Sequence, residues 1–152
     1  MADAPILKHL SDLQTYRIQA GDTVKLTHLT GPSEQSPTSV FFEIWDPHGV
    51  QPDNTHPDSV EIFIFLSGRG EAVSDEHTVE VAAGDVLVLP EGSVHHIRNT
   101  SGTERLYAVT IMANDLGSMD SGFEHLVTSG VPEALDDEDR AAVIAGLATL
   151  GR

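Results

Sequence analysis

The chain of 152 residues contains no cysteine, so disulfide bonds and thiolate chemistry are excluded. A chain without cysteine is compatible with the reducing cytoplasm, which is the compartment we expect. No apolar run approaches the roughly 20 residues of a membrane-spanning helix. The first residues lack the basic start and the long apolar core of a signal peptide, so we expect no secretory leader there.

Basic residues are also scarce, because 8 lysines and arginines stand against 24 aspartates and glutamates. The formal net charge of -16 argues against binding to nucleic acid or to an anionic membrane, since both need basic patches. The acidic excess is more typical of a solubilising surface than of a specific partner. The length of the chain fits one domain with one core.

Short apolar runs recur through the middle of the chain, with turn residues between them. They predict about eight short strands with no helix among them, which is typical of an all-β sandwich or barrel. Two of these strands have apolar residues on both faces, so we expect both of their faces to be buried; they are 61–66, beyond Glu61, and 86–89. The predicted strands are 23–29, 40–45, 61–66, 71–74, 78–81, 86–89, a strand from residue 95, and 105–112.

The two ends of the chain differ from this middle part. We expect residues 1–22 to form an N-terminal arm, residues 23–112 to form the barrel, and residues 113–152 to form a helical extension of the same domain.

Two helices are predicted in the extension. Residues 121–127 have apolar side chains at helical spacing, and a second helix runs to residue 150. The acidic run that opens the second helix is typical of a helix start, with Asp136 as its N-cap. Its predicted apolar stripe consists of Val143, Leu147 and Leu150.

The stretch from Gly84 to Asn99 has the most specific pattern in the chain. An apolar strand, a turn at Pro90 and Gly92, and a second strand that begins with His95 follow one another. Five residues match the second motif of the cupin superfamily at every spacing; they are Gly84, Pro90, Gly92, His95 and Asn99. The chain therefore resembles a small single-domain cupin of the cupin 2 type. The resemblance implies a jelly-roll barrel, also called a double-stranded β-helix.

The residues from Gly49 to Gly68 resemble the first cupin motif, with two departures. His56, Glu61 and Gly68 fit the pattern, whereas Asn54 stands where a histidine is expected. The gap that follows Gly49 is also one residue shorter than in the family.

The resemblance implies that His56, Glu61 and His95 project into the barrel and bind one divalent metal. Imidazole and carboxylate together suit Fe, Mn, Ni, Co or Zn, and a buried carboxylate is costly unless it is paired or metal-bound. Asn54 is a candidate for a weak fourth ligand, for a hydrogen-bond donor to substrate or water, or for a turn residue.

Other side chains near the motifs have weaker cases. His48 is an alternative third histidine, whereas strand alternation turns His96 away from the site. No general acid or base is evident beyond the ligands themselves. Four aromatic residues are expected in the core, and some of them as walls of a substrate cavity; they are Trp45, Phe63, Phe65 and Tyr107.

Cupins include dioxygenases, isomerases, epimerases, decarboxylases and lyases that act on small molecules, so the fold alone does not select a reaction. We predict a metal-dependent enzyme of oxygenase type whose small substrate chelates the metal through two oxygens. The alternatives are a metal-dependent isomerase, epimerase or lyase, a non-catalytic barrel that binds a small molecule, and a metal-free barrel.

The face opposite the predicted ligands is apolar as well. Ile62, Ile64 and Leu66 point away from Glu61 and need a cover. The arm or the helices could provide it, but we predict a homodimer, since two-fold pairing is the commonest assembly of soluble proteins.

Overall fold

The computed structural model describes residues 3–114 and 122–150, which contain ten strands and two α-helices. The strands are β1 (Thr15–Arg17), β2 (Val24–Thr30), β3 (Thr38–Trp45), β4 (Ser59–Ser67), β5 (Arg69–Ser74), β6 (His77–Ala82), β7 (Val86–Leu89), β8 (His95–Asn99), β9 (Leu106–Asn114) and β10 (Val131–Glu133). The helices are α1 (Gly122–Thr128) and α2 (Asp137–Leu150).

The strands form two antiparallel sheets that close into a jelly-roll barrel. The larger sheet has seven strands in the order β10-β1-β2-β3-β9-β4-β7, and the smaller has the order β6-β5-β8. Strand β9 pairs with β3 on one side and with β4 on the other, so the longest strands form the centre of the larger sheet. The predicted all-β jelly-roll fold with C-terminal helices is confirmed.

The inner core comes from the alternation of side chains along β3 and β4. Phe41, Trp45, Phe63 and Phe65 point between the sheets and are completely buried, together with Ile97 of β8. Burying one such side chain contributes about 2 kcal/mol. These residues therefore hold the two sheets together.

Helix α2 covers part of the outer face of the larger sheet. Its buried Val143 packs in a second cluster with Ile44, Leu66 and Tyr107. Gly146 allows a close approach, because a Cβ atom there would lie 2.6 Å from the Cβ of Leu66.

The start of α2 is capped as predicted. The carboxylate of Asp136 accepts a hydrogen bond from the backbone N–H of Asp139 at 2.8 Å, and the reciprocal bond is 3.3 Å long. Asp139 is completely buried and also lies 2.5 Å from Nζ of Lys25 and 2.9 Å from Nη1 of Arg105. One carboxylate thus caps the helix and joins it to the sheet.

The prediction that both faces of β7 are buried is wrong. This strand is the edge of the larger sheet, and Val86 and Val88 are 62% and 58% exposed. Their neighbours Ile62 and Ile64 on β4 are half-buried, whereas Leu66 is buried beneath α2. An apolar run does not reveal that its strand lies at an edge, where neither of the two described helices covers the outer face.

The larger sheet extends beyond the predicted barrel limits of 23–112. Strand β1 lies in the predicted arm and pairs with β2, while β10 lies in the predicted extension and pairs with β1. Each of these strands has only three residues, which is too short for a periodic pattern to show.

The predicted apolar stripe of α2 differs from the buried face of the helix. Val143 is buried, but Leu147 is 48% exposed, because Asp139 and Gly146 occupy the neighbouring buried positions. The side chain of Leu150 and residue 121, where the first predicted helix starts, lie outside the described residues. Among the described residues, no helix has the length and the apolar character that crossing a bilayer requires.

Candidate metal centre

One loop and two strands bring the three predicted ligands together. His56 lies in the loop before β4, Glu61 lies on the inner face of β4, and His95 is the first residue of β8. Two backbone hydrogen bonds of 3.0 and 2.9 Å between Asn54 and His95 tie this loop to β8. Gly92, whose φ of 74° favours glycine, donates a third from its N–H to the carbonyl of His56.

The donor atoms of His56, Glu61 and His95 converge on one point. One ligand atom of each residue lies within 4.8 Å of the others. Oε2 of Glu61 is 2.7 Å from Nε2 of His95 and 3.6 Å from Nε2 of His56. Ligands about 2.1 Å from a divalent transition metal lie about 3 Å apart at adjacent positions, so the two separations bracket the value that a shared ion needs.

The ring of His95 is held in one orientation. Its Nδ1 lies 3.1 Å from the carbonyl oxygen of Ser93, and the N–H of Nδ1 donates to that carbonyl. This assignment directs the lone pair of Nε2 towards Glu61. A lone pair that faces a carboxylate oxygen needs a proton or a cation between the two atoms.

His56 differs from the other two candidate ligands in that its ligand atom has no hydrogen bond within the described part of the chain. Its Nε2 is buried without a hydrogen-bond partner among the described residues. Its ring packs edge-on against Phe123 of α1 at a centroid distance of 5.5 Å. Burial lowers the pKa of His56, so the imidazole is neutral at neutral pH. A neutral, orphaned nitrogen beside Glu61 and His95 fits a metal ion, because buried polar atoms otherwise find hydrogen bonds.

Asn54 lies in the same loop as His56, two residues before it. Its side-chain nitrogen donates to the carbonyl oxygens of Pro52 at 3.2 Å and of His95 at 3.3 Å. The amide therefore fixes the loop against β8, and a role for its oxygen as fourth ligand stays a prediction.

The other two histidines near the motifs lie outside the cluster. His48 is exposed in the turn after β3, where its ring rests over Gly102. His96 faces outwards, and its Nδ1 is 2.6 Å from a carboxylate oxygen of Asp53.

Asn99, the last residue of the second motif, serves the barrel and not the site. It is 1% exposed, and its side-chain nitrogen donates to the carbonyls of Asp46 at 2.9 Å and of Glu104 at 2.8 Å. Its side-chain oxygen accepts from the backbone N–H of Ser101 at 3.0 Å. The residue joins the turns at one end of the barrel.

The cluster opens onto a cavity of about 780 Å³. His56, Glu61 and Asn54 lie on its wall, as do the polar side chains of Gln51 and Glu43. The rest of the lining is largely apolar and includes Ile18, Val24, Leu26, Val50, Phe123 and Leu126.

The expectation that aromatic residues wall this cavity is corrected by the structure. Trp45, Phe63 and Phe65 pack against one another in the inner core and are completely buried. Tyr107 lies on the outer face of β9, where its hydroxyl donates to Asp139 at 3.1 Å. The aromatic wall residue among those described is Phe123, which comes from α1.

Sequence reasoning missed Glu43, a wall residue on β3 that is 2% exposed. One of its oxygens accepts a hydrogen bond from the hydroxyl of Thr110 at 2.8 Å, and the other accepts from the amide of Gln51. Burial and the charge of Glu61 raise the pKa of Glu43 to about 8. The signal in the sequence is a single carboxylate inside an apolar strand, in phase with Phe41 of the inner core.

The sequence comparison agrees with this geometry, because residues 41–112 match the Cupin_2 family model, described as Cupin domain. These residues are a cupin domain. All three candidate ligands lie within it, whereas Phe123 lies beyond its end. The resemblance drawn from the two motifs is thereby confirmed.

Two solved structures resemble the cupin domain and its surroundings. A Cupin 2 conserved barrel domain protein from Salinispora arenicola is 26% identical with a TM-score of 0.60, and the match covers 80% of this chain and 98% of that chain. A predicted oxalate decarboxylase from Thermotoga maritima is 20% identical with a TM-score of 0.64, over 72% of this chain and 100% of that chain. At this lower identity, the likeness shows the fold alone.

The cupin domain is also similar to part of a plant protein. Germin-like protein subfamily 1 member 4 of Arabidopsis thaliana is 36% identical over 84 residues, which are 50% of this chain and 36% of that protein. The chain spans little more than a third of the length of the curated relatives that it matches.

Proposed function

We propose that this chain is a metal-dependent enzyme of oxygenase type that acts on a small organic molecule chelating the metal through two oxygens. The observation that carries the proposal is the convergence of His56, Glu61 and His95 on a large, mostly apolar cavity. The buried Nε2 of His56, which lacks a hydrogen-bond partner among the described residues, is available to bind an ion. Two histidines and one carboxylate with open positions suit non-haem oxygenase chemistry.

Each residue of the site has a distinct task in this proposal. A bound transition ion supplies Lewis acidity and, for Fe or Mn, redox chemistry. The carbonyl of Ser93 holds the ring of His95 so that Nε2 faces the ligand cluster. Phe123 covers one side of the ring of His56 and keeps water from it.

The solved relatives support a small-molecule substrate. The Thermotoga maritima protein is described as a predicted oxalate decarboxylase, and its barrel resembles this one over its whole length. The present cavity, at about 780 Å³, has room for a larger molecule than oxalate. We therefore carry over the small-molecule class and not the decarboxylation.

Elemental analysis of the purified protein, together with ligand variants, tests the metal centre. His56→Ala and His95→Ala should each lose most of the metal, because each removes one of three donors. His96→Ala is the matched control. It removes a histidine from the same strand as His95, but the ring of His96 faces Asp53 and not the cluster. Oxygen uptake by the Fe(II)-loaded protein with a catechol as substrate then tests the oxygenase reaction.

Two results would contradict the proposal. Full metal occupancy in His56→Ala or His95→Ala would show that the residue is not a ligand. No affinity of the wild-type protein for Fe, Mn, Ni, Co or Zn would make it a metal-free barrel.

One contact favours a second candidate, a barrel that binds small molecules without turnover. At 2.7 Å, a protonated His95 and Glu61 satisfy each other without any ion. Ligand binding without turnover across a substrate screen would support this candidate. Turnover that needs metal but consumes no oxygen would support an isomerase, epimerase or lyase instead.

We also propose that two copies of the chain pair through the outer face of the larger sheet. Val86 and Val88 on the edge strand, with the half-buried Ile62 and Ile64 beside them, form an apolar surface that α2 leaves uncovered. We call these four residues the outer apolar face. A two-fold partner covers such a face with an identical one, so neither copy keeps it in water.

A further inference from the structure

Glu43 stands at a position that the proposed metal centre does not use. It lies on the inner face of β3, where its neighbours in the two adjacent strands are Leu26 and Ala108. Its side chain is almost completely buried and forms part of the cavity wall together with Glu61. The cavity therefore has three carboxylates on its wall, from Asp22, Glu43 and Glu61, and only Glu61 belongs to the ligand cluster.

The carboxylate of Glu43 is held by side chains from other parts of the barrel. Thr110 on β9 and Gln51, in the loop after β3, each donate to one of its oxygens. Gln51 is itself fixed by two hydrogen bonds to Ile97. Its side-chain oxygen accepts from the backbone N–H of Ile97 at 2.9 Å, and its backbone N–H donates to the carbonyl of Ile97 at 3.1 Å. Two fixed donors keep the carboxyl group in one place, which is the condition for selective binding.

Glu43 has no cationic partner among the described residues, and none of those that line the cavity is a lysine or an arginine. Arg69 lines a separate hollow beside the smaller sheet. The other described cations pair with carboxylates elsewhere; they are Lys8, Arg17, Lys25, Arg98, Arg105 and Arg140.

A buried carboxylate without a counter-charge is costly, so Glu43 keeps its proton at neutral pH until a partner offsets the charge of its ionised form. A ligand can supply the missing charge or a further hydrogen-bond donor, whereas an anionic ligand adds a second negative charge to a low-dielectric space. Most of the remaining wall is apolar, so the ligand must also present apolar surface.

We propose that Glu43 is a substrate-binding residue and that the cavity takes a neutral or cationic, largely apolar molecule that donates a hydrogen bond to it, excluding small dicarboxylates. The idea that the substrate chelates through its oxygens depends on the metal centre proposed above, whereas the selection by charge is independent of it. Glu43 thus gives this barrel a different substrate class from the one in the name of its Thermotoga maritima neighbour.

Three catechols with substituents of different charge test this selection. The probes are dopamine as cation, 4-methylcatechol as neutral molecule and 3,4-dihydroxybenzoate as anion, with oxalate as the small dianion. Calorimetry measures their dissociation constants on the full chain, both metal-free and loaded with Zn(II), which is redox-inert. We expect the cation to bind about tenfold more tightly than the anion, and oxalate to bind weakest on the metal-free protein.

The variant Glu43→Gln keeps the shape of the side chain but cannot ionise when a cation binds beside it. It should reduce the preference for dopamine over 3,4-dihydroxybenzoate to about threefold or less. Glu76→Gln is the matched control, since it replaces a carboxylate at an exposed position in the β5–β6 turn and should leave the preference unchanged. If Glu43→Gln does not fold, the wild-type ratio still tests the selection by charge.

The proposal is overturned if the anion binds as tightly as the cation to the wild-type protein, or if Glu43→Gln leaves the ratio unchanged. Failure of the metal centre has a different signature. In that case Zn(II) does not bind, whereas the metal-free protein still prefers the cation.

Discussion

Nε2 of His95 lies 2.7 Å from Oε2 of Glu61, which is closer than two neighbouring ligands of one metal ion ordinarily lie. In the protein without metal, a proton between the two atoms makes this contact favourable. An ion that takes both atoms as ligands must displace that proton.

We therefore expect Zn(II) binding to release about one proton at neutral pH. Calorimetric titrations in buffers of different ionisation enthalpy measure this number directly. Binding that releases no proton would show that the contact between His95 and Glu61 survives, and that the ion binds elsewhere.

Asn54→His should strengthen metal binding by about tenfold, because imidazole is a better donor to late transition metals than an amide oxygen. The same change should lower turnover, because the new ligand occupies a position that the substrate uses. Metal titration and steady-state kinetics give the two quantities.

Asn54→Ala is the control for this change, since it removes the side-chain hydrogen bonds to the carbonyls of Pro52 and His95 without adding a ligand. Unchanged turnover and substrate affinity in Asn54→His would make Asn54 a turn residue. An isomerase or a simple binding role would then be the better interpretation.

The stability of the metal-free protein should depend on pH through Glu43. Its pKa of about 8 in the fold lies above the ordinary value of 4.5, so the folded state holds a proton that the unfolded chain has released. The free energy of unfolding therefore falls as the pH rises from about 4.5 to about 8. Urea denaturation of the wild type and of Glu43→Gln in the presence of EDTA should show a flatter dependence for the variant. Parallel curves would mean that Glu43 does not keep its proton in the fold.

Lys25→Met should destabilise the protein by about 3 kcal/mol, because it leaves Asp139 buried without one of its cations. Arg140→Met is the control, since its partner Asp137 is exposed, and it should cost about 0.5 kcal/mol or less. Urea denaturation at neutral pH measures both. Equal losses in the two variants would mean that burial adds nothing to the pair of Lys25 and Asp139.

Sedimentation at micromolar concentration should give the mass of a dimer for the wild type. Val88→Glu should give a monomer, because it places a charge in the outer apolar face. Val79→Glu is the control, since Val79 is similarly exposed on β6 in the other sheet. Monomer mass for the wild type would contradict the proposed pairing.

The sequence predicted the barrel well because its information is local there. Turn residues such as Gly84 and Gly92 and the alternation along β3 and β4 determine the strands without reference to distant residues. The candidate ligands His56, Glu61 and His95 were selected by spacing within the two motifs, and the fold brings one ligand atom of each within 4.8 Å of the others.

Features that depend on distant parts of the chain were not predictable in the same way. Strand β1 has three residues and is defined by its partners β2 and β10, one of which lies more than a hundred residues away. The partners of Glu43 could not be predicted either, because Gln51 and Thr110, which hydrogen-bond to it, belong to other elements. The exposure of Val86 follows from the strand order, which no local pattern records.

The hydrogen bonds of Asn99 have a consequence for recognising related sequences. This side chain joins the turns at one end of the barrel and contacts none of the three candidate ligands. Selection for the scaffold alone would keep this residue in a relative without a metal site. A search scored on the whole motif therefore retrieves barrels with and without a metal site. Under the function proposed above, the residues aligned with His56, Glu61 and His95 distinguish the two groups, and the residue aligned with Glu43 divides the metal-binding ones by the charge of their ligands.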